Sequence, residues 1–250
     1  MGIILDERAL AELVQQQREL YDGPAIDTRL EAIIRDGSQT KLTSWEVLRI
    51  LHTSRSVYFD THVEVVSGHH TATYLRFDSI VRFPHLIKLL AADMADWIRR
   101  AFHQMPLTGI LATASAAQSL AQGIADELRE TMPLRVILTP YSCETGRIGT
   151  DIAAGAVKAG DRFVALNDVT TRGNCVGKLG KVVTDNGGLL VGMMVFARRD
   201  SGQFPLMNDL IAQYPFYYTT DLDMPQWEPA QCPLCRTEKP LLSWRDMPEF

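Results

Sequence analysis

Apolar residues before residue 56 recur at helical spacing and predict three short helices, over residues 6–20, 27–36 and 44–52. Asp6 and Glu7 mark the start of the first helix, and the Gly23-Pro24 pair follows its end. The run from Thr43 to Glu46 is a capping box ahead of the third helix. This part of the chain carries no chemical motif, and we expect its helices to pack on the edge of a sheet or on a partner subunit.

After residue 56 the pattern changes to short β-forming runs and then to apolar strands that alternate with helices. Val, Tyr and Phe are frequent over residues 57–83, where Ser67-Gly68 is a turn signal, and a long helix follows Pro84. Further strands are predicted at residues 107–112, 134–138, 163–166 and 189–196, with helices at residues 118–130 and 176–184. Strands that alternate with helices are typical of a parallel sheet with right-handed crossovers. The sequence therefore predicts an α/β fold in which helices flank a parallel sheet.

These patterns divide the chain into three regions. Residues 1–55 form an N-terminal helical extension, residues 56–202 an α/β domain, and residues 203–250 an irregular C-terminal tail rich in proline and aromatic residues. A chain of 250 residues is long enough for one α/β domain with such additions, and its 46% apolar content is enough for a substantial core.

Charge and motif content exclude several classes of function. A formal net charge of -5 argues against a nucleic-acid or anionic-membrane partner, and no apolar run approaches membrane-spanning length. No dinucleotide-binding glycine motif follows a predicted strand, and the chain has neither a P-loop nor a Gly-x-Ser-x-Gly hydrolase motif. We expect a cytoplasmic protein whose four cysteines are thiols or metal ligands.

The chemistry is concentrated after the predicted strand 163–166. Asn167 and Asp168 follow this strand, and a loop of small residues then precedes a helix. Ligands of open α/β sheets lie at the carboxyl ends of strands, and a helix that begins in such a loop offers backbone N–H groups to an anion. Asp168 and Asn167 are therefore candidates for binding sugar hydroxyls beside a phosphate. An ordinary strand–turn–helix connection explains the same pattern equally well.

Two segments resemble known motifs. Residues 166–173, Leu-Asn-Asp-Val-Thr-Thr-Arg-Gly, resemble the phosphoribosyl-pyrophosphate (PRPP) motif of the type I phosphoribosyltransferases. Residues 67–74, Ser-Gly-His-His-Thr-Ala-Thr-Tyr, resemble the Ser-Gly-x-His-Ser-x-x-Tyr segment of orotate phosphoribosyltransferases. The two motifs occur in the order found in that family, and the resemblance covers roughly residues 45–198.

The resemblance implies transfer of a 5-phosphoribosyl group from PRPP to a nucleobase, with an orotate-like pyrimidine favoured and pyrophosphate released. It implies Mg²⁺ bound with PRPP, a homodimer, and a catalytic pair formed by Asp168 and Asn167. The residues expected to bind PRPP and its phosphates are Thr170, Thr171, Arg172, Gly173, Asn174, Cys175, Thr113, Ala114, Ser115 and Arg147. Those expected to hold the base are His69, His70, Thr71 and Tyr74.

The chain also departs from the family pattern. Asn167 replaces the first acidic residue, and an amide forms hydrogen bonds but carries no charge. Arg172 lies between the loop threonines and Gly173, where its guanidinium either binds the 5′-phosphate or faces solvent. The family's mobile-loop lysine is missing from residues 138–149, where Arg147 is the one positive charge. These departures motivate an alternative function, a non-catalytic sensor that binds PRPP or a nucleotide.

The adjacent histidines and the C-terminal cysteine pair each allow a second interpretation. The adjacent residues His69 and His70 also fit a solvated hairpin tip without function. Cys232 and Cys235 form a Cys-x-x-Cys pair, which is half of a tetrahedral Zn²⁺ site, and the chain has no second pair. Either the two cysteines are metal-free thiols, or the tails of two protomers meet at a two-fold axis and share one Cys₄ zinc site.

Overall fold

The computed structural model describes residues 7–199 and 203–250, so the predicted start of the first helix at Asp6 lies outside the described residues. Within these ranges the helices are α1 (Glu7–Asp22), α2 (Ile26–Ile33), α3 (Ser44–Ser54), α4 (Phe77–Val81), α5 (Pro84–Ala101), α6 (Ala116–Leu128), α7 (Asn174–Asp185) and α8 (Pro205–Gln213). Two short 3₁₀ helices follow at Pro229–Gln231 and Pro233–Arg236.

The strands in the same ranges are mostly short outside the central sheet. They are β1 (Ile34–Arg35), β2 (Val57–Tyr58), β3 (Val63–Glu64), β4 (His70–Thr71), β5 (Tyr74–Leu75), β6 (Gly109–Thr113), β7 (Arg135–Thr139), β8 (Tyr141–Ser142), β9 (Arg147–Ile148), β10 (Arg162–Thr170), β11 (Leu189–Arg199), β12 (Phe216–Leu222), β13 (Gln226–Trp227) and β14 (Leu242–Ser243).

A six-stranded sheet forms the centre of the molecule, with strand order β1-β12-β11-β10-β6-β7. Five of these strands are parallel, and only β1 pairs antiparallel, with β12. Helices α5 and α6 cover one face of the sheet, and α7 and α8 cover the other. The predicted α/β fold, a parallel sheet flanked by helices, is confirmed.

The two crossover connections that follow β6 in the chain, from β6 to β7 and from β7 to β10, run in opposite directions across the sheet. The chain passes from β6 outward to β7, and then returns to form β10 on the other side of β6. The strand order therefore reverses between β6 and β10. In open α/β sheets such a reversal produces a crevice at the carboxyl ends of the two strands.

The N-terminal extension forms the predicted three helices. The capping box of α3 is present, since Thr43 Oγ1 accepts a hydrogen bond from Glu46 N at 3.2 Å and Glu46 Oε2 accepts one from Thr43 N at 2.8 Å. The extension also adds β1 as the antiparallel edge strand of the central sheet, and α2 and α3 pack into the same core as α5. It is thus part of the α/β body.

The region beyond residue 203 is more regular than its sequence pattern indicates. It begins with α8, which starts at Pro205, and continues with β12, a largely buried strand of the central sheet. Consecutive apolar and aromatic residues suit a strand covered on both faces, and such a strand has no visible period. Only the part after β12 lacks long elements. Among the described residues, no helix is long and apolar enough to span a membrane.

A second, smaller sheet joins the C-terminal segment to residues 63–71. This hood sheet has strand order β13-β4-β3-β14, so both of its outer strands come from the last 25 residues of the chain. The pairs Trp227↔His70 and Leu242↔Val63 define its register. Each pairing is only two residues long, which by itself is marginal in water.

Asp93 of α5 connects the N-terminal extension to the central sheet. This buried carboxylate accepts hydrogen bonds from Thr40 Oγ1 at 2.7 Å, from Lys41 N at 2.8 Å and from the hydroxyl of Tyr217 on β12. Three donors compensate a buried carboxylate for its lost hydration, so removal of any one leaves it undersatisfied.

We therefore expect Tyr217→Phe to lower the free energy of unfolding by about 1.5–3 kcal/mol, because a hydrogen bond to a buried charged group is lost while the ring remains. Urea denaturation followed by circular dichroism measures the change. The matched control is Tyr218→Phe on the same strand, which keeps the ring beneath Arg198, 4.1 Å away. Equal stability of the Tyr217→Phe variant and the wild-type protein would contradict this role of Asp93.

Candidate functional site

A crevice opens between β6 and β10 at their carboxyl ends. The pairing of β10 with β6 ends at Leu166↔Ala112, whereas its pairing with β11 continues to Thr170↔Arg198. The last residues of β10 therefore have a neighbour strand on one side only. Asn167 and Asp168 lie within this part of β10 and border the crevice. They are the first two residues beyond the predicted end of the strand at residue 166.

Asn167 has its amide group engaged by the protein. Its side chain is buried, its Oδ1 accepts a hydrogen bond from Thr113 Oγ1 at 3.3 Å, and its Nδ2 donates to Val169 O at 3.1 Å. Thr113 Oγ1 is in turn 2.7 Å from Ser115 Oγ, and Ser115 is the N-cap of α6. Asn167 thus connects β10 to the loop after β6, and the two predicted phosphate-binding loops lie side by side.

Asp168 is the carboxylate of this crevice. Burial raises its pKa to about 6, hydrogen bonding by the Val169 backbone opposes the rise, and the charge of Asp78 adds to it. The positive charge of Arg199 lowers the same pKa. Asp168 is therefore an acid whose ionisation is costly in the folded protein, as is typical of groups held in place for binding or catalysis.

Two tyrosines lie close enough to this carboxylate for its charge to act on their phenols. Burial raises the pKa of Tyr74 to about 12, with the nearby charges of Arg199 and Asp168 acting in opposite directions. Burial likewise raises the pKa of Tyr141, on strand β8, and the charge of Asp168 adds to the rise. Both phenols are neutral at physiological pH and are available as hydroxyl donors. Of the predicted base-binding residues, Tyr74 lies near Asp168.

The loop after β10 leads directly into α7. Gly173 is the N-cap residue with φ of 84°, a left-handed conformation that favours glycine, and a Cβ there would lie 3.0 Å from Leu210 Cδ1. Asn174 and Cys175 form the first turn of α7, whose N–H groups have no intrahelical partners. Burial raises the pKa of the Cys175 thiol, which keeps it neutral. The predicted strand–loop–helix geometry is present.

Arg199, at the end of β11, supplies a positive charge that the motif comparison missed. Its Nε donates a hydrogen bond to Thr171 Oγ1 at 3.0 Å, and its charge acts on Asp168 and Cys175. The neighbouring hydroxyl of Thr170 is buried and has no hydrogen-bond partner among the described residues. Arg199 lies 31 residues after Asp168 in the chain and enters the site only because β11 pairs with β10.

Arg172 points from the loop toward the hood sheet. Its Nη2 contacts His69 Nε2 and lies 3.9 Å from Glu228 Oε1, and its guanidinium lies over the ring of Phe204 at 4.9 Å. His69 Nε2 is also 2.5 Å from Glu228 Oε1. Arg172 therefore does not simply face solvent, because its guanidinium contacts His69 and Phe204. Glu228, which follows β13, is a second residue that sequence reasoning missed.

The other predicted base-binding residues have partners within the hood. Thr71 Oγ1 donates to the carbonyls of Thr73 and Pro225, both at 2.9 Å. His70 contacts His62 and Cys235, at 3.1 Å in each case. Both side chains are buried. The four predicted base-binding residues therefore fall into two groups. Tyr74 lies near Asp168 and His69 contacts the loop after β10, whereas His70 and Thr71 have their partners within the hood.

The remaining predicted phosphate-binding residues differ in position. Ala114 follows β6, and its N–H is already donated to Thr139 O at 2.9 Å. Arg147 is exposed on the hairpin formed by β8 and β9. A Cβ at Gly146, beside it, would lie 2.6 Å from Val66 Cγ2, so the hairpin tip packs against the hood. Tyr141 of the same hairpin is close enough to Asp168 for that charge to act on its phenol.

Comparisons with known proteins agree with this geometry. No protein-family profile matches the chain. A curated relative, the orotate phosphoribosyltransferase of Thermus thermophilus, is 27% identical over 192 residues, which cover 76% of this chain and 96% of the relative.

Solved structures show the same fold. The orotate phosphoribosyltransferase of Mycobacterium tuberculosis superimposes with a TM-score of 0.52 at 18% identity, over 69% of this chain and 94% of that one. The adenine phosphoribosyltransferase of Leishmania tarentolae gives 0.51 at 14% identity, over 72% and 89%. With the crevice at the strand reversal and the loop into α7, the chain has the fold of the type I phosphoribosyltransferases, and orotate phosphoribosyltransferases are among its relatives in sequence.

Proposed function

We propose that the protein transfers a 5-phosphoribosyl group from PRPP to a nucleobase and releases pyrophosphate, with an orotate-like pyrimidine as the favoured base. The observation that supports this most is the position of Asp168. This carboxylate has a raised pKa and lies where the strand order reverses, beside the two predicted phosphate-binding loops. The neutral phenols of Tyr74 and Tyr141 lie close enough for its charge to act on them. Orotate is favoured because the relatives matched in sequence bear that name.

Each part of PRPP has a counterpart in the crevice. Asp168 would accept hydrogen bonds from the ribose hydroxyls, and residues 170–175 would bind the 5′-phosphate with loop hydroxyls and the first N–H groups of α7. Thr113 and Ser115 would face the pyrophosphate. Asn167 would act as a positioning residue, since its amide holds Thr113 and the end of β10. Catalysis by such a site consists of orientation and electrostatic stabilisation of a positively charged ribosyl centre.

The donor set suits a Mg²⁺ ion that is bound mainly by the substrate. Mg²⁺ keeps several waters and commonly takes one or two carboxylates together with substrate phosphates. Asp168 supplies one carboxylate, and Asp78 is exposed and close enough to raise the pKa of Asp168. When bound, Mg²⁺ would neutralise part of the charge on the pyrophosphate leaving group.

Contacts around the loop support a second candidate, a sensor that binds PRPP or a nucleotide without turnover. The amide of Asn167 is used inside the protein, Arg172 contacts His69 beside Glu228, and Arg147 is exposed on its hairpin. A site with these contacts keeps its phosphate-binding loop but has few charges free to stabilise a transition state.

Assembly and location complete the proposal. We propose a homodimer, as the family resemblance implies. We also propose a cytoplasmic location, which is supported by four cysteines none of which forms a disulfide.

The decisive experiment is incubation of the purified protein with PRPP, Mg²⁺ and a panel of purine and pyrimidine bases. Pyrophosphate release that depends on one base supports the transferase and names its substrate. Calorimetric binding of PRPP without release of pyrophosphate supports the sensor. A protein that neither binds PRPP nor releases pyrophosphate contradicts both functions.

Substitution of Asp168 tests the centre of the site. We expect Asp168→Ala to weaken PRPP binding by about 1.5–3 kcal/mol, because hydrogen bonds to a charged group are lost. Isothermal titration calorimetry measures the change. Asp185→Ala, at the far end of α7 in an ion pair with Lys181, is the matched control and should bind normally. Unchanged affinity of the Asp168→Ala variant would remove Asp168 from the binding site.

The raised pKa of Asp168 also predicts a pH-dependent stability. Its folded pKa of about 6 exceeds the ordinary value of 3.8, so the ionised carboxylate destabilises the fold above pH 6 and this cost disappears as pH falls toward 4. Asp168→Asn should therefore raise the free energy of unfolding by about 1–3 kcal/mol at pH 8 and by little at pH 4. Thermal unfolding at both pH values checks this. An equal effect at both pH values would contradict it.

The hood and a bound phosphate would compete for the guanidinium of Arg172. If its guanidinium turns to the 5′-phosphate when ligand binds, Arg172→Thr should weaken ribose 5-phosphate binding by about 1.5–3 kcal/mol and leave a free base unaffected. Titrations with ribose 5-phosphate and with orotate measure the two effects. Glu228→Gln, which removes the competing charge, should strengthen phosphate binding. Equal losses for both ligands would show that Arg172 acts only on the shape of the site.

A further inference from the structure

Four metal-ligating side chains converge beside the hood sheet, away from Asp168. They are His62, His70, Cys232 and Cys235, whose ligand atoms all lie within 4.8 Å of one another. His62 immediately precedes β3, His70 lies in β4, and the cysteines lie around the second 3₁₀ helix. His62, His70 and Cys232 are buried and Cys235 is half-buried. The chain thus brings together two pairs of ligands that are separated by more than 150 residues in sequence.

The distances between these atoms suit a tetrahedral ion. His62 Nε2 is 3.1 Å from His70 Nδ1 and 3.6 Å from the Sγ atoms of both cysteines, and His70 Nδ1 is 3.1 Å from Cys235 Sγ. Zn–N bonds of about 2.0–2.1 Å and Zn–S bonds of about 2.3 Å separate the ligand atoms of a tetrahedron by about 3.3–3.8 Å. These four distances differ from the tetrahedral values by only a few tenths of an ångström, and the widest separation in the cluster, which is within 4.8 Å, would shorten by about 1 Å when the ion binds.

The outward nitrogen of His62 is within hydrogen-bond distance of a carbonyl, and that of His70 lies near a carboxylate. His62 Nδ1 lies 3.3 Å from Lys239 O, and His70 Nε2 lies 3.8 Å from Glu64 Oε2. An imidazole that donates its outer N–H to a carbonyl or carboxylate presents the lone pair of its other nitrogen to a metal. The inner nitrogens of the two histidines point at each other and at the sulfurs. One cation would accept lone pairs from all four atoms, whereas without a cation buried polar atoms in this arrangement are costly.

We propose that His62, His70, Cys232 and Cys235 bind one structural Zn²⁺ per chain. A Cys₂His₂ set of four protein ligands leaves no open position, which is typical of structural and not catalytic zinc sites. Because both histidines come from the same chain as the cysteines, a second protomer is not needed to complete the site. The proposal replaces a zinc shared by two tails, and it predicts one zinc per chain in place of one per two chains.

The bound zinc would fasten the C-terminal segment to the hood. The cysteines lie between β13 and β14, and the histidines lie beside β3 and within β4, so the ion connects the two outer strands to the two inner ones. The same segment carries Glu228, which contacts His69 and lies near Arg172. Zinc would therefore also hold in place the acidic neighbour of the loop that follows β10.

The test begins with the purified full-length chain, equilibrated with zinc and then dialysed. Elemental analysis should give about one zinc per chain in the wild-type protein and in His69→Ala, and less than about a tenth of that in His70→Ala and Cys235→Ser. His69 is the matched control because it is buried next to His70 yet outside the cluster. X-ray absorption of the zinc-bound wild-type protein should show two sulfur and two nitrogen ligands, a readout that does not depend on whether variants fold.

Limited proteolysis tests the structural role. Removal of zinc by a chelator should speed tryptic cleavage after Arg236, which directly follows Cys235, by about tenfold or more, because local unfolding of the segment becomes easier. Folded wild-type protein that retains no zinc after equilibration with the ion and dialysis would overturn the proposal. One zinc per two chains, retained in His70→Ala and bound by four sulfurs, would overturn it in favour of the shared site. These measurements use no PRPP, so their outcome leaves the proposed transferase or sensor activity untouched.

Discussion

The structure depends on the unequal pairing of β10 with its two neighbours. β10 is hydrogen-bonded to β11 as far as Thr170, but to β6 only as far as Leu166. A strand end held on one side is rigid enough to orient side chains and open enough to admit a ligand. Asn167 and Asp168 occupy this end, and β11 brings Arg199 to the loop that follows it. The candidate site is thus a consequence of sheet topology, as it is in other open α/β sheets.

The polar residues of the crevice divide into those that hold the protein together and those that remain for a ligand. Asn167 uses both ends of its amide within the protein, and Thr113 and Ser115 continue that network. Asp168 has backbone donors but also a raised pKa, which means that its ionised form destabilises the fold. A charge that destabilises the fold at a candidate binding position is an example of the common trade-off between stability and function.

The hood couples the C-terminal segment to this crevice. Two-residue pairings alone join β13 and β14 to the inner strands, and the His–Cys cluster lies where a metal ion would strengthen them. Glu228 leaves β13 toward His69 and Arg172, so any change in the anchoring of this segment reaches the loop after β10. The last residues of the chain are therefore structural partners of the site, although they carry none of its motif.

Local sequence pattern was sufficient for the α/β class, for the three N-terminal helices with their capping box at Thr43, and for the strand–loop–helix around Asp168, because these depend on neighbours a few residues apart. It indicated half of a metal site at Cys232 and Cys235. It did not reveal Arg199, Glu228 or His62, or the strand β12 within the tail. Each of these takes its place through contacts across more than 20 residues, between strands that pair or segments that fold back. Spacing in the sequence carries no record of such contacts, so only the tertiary structure decided that His69 contacts Arg172 in the loop after β10 and that His70 contacts Cys235.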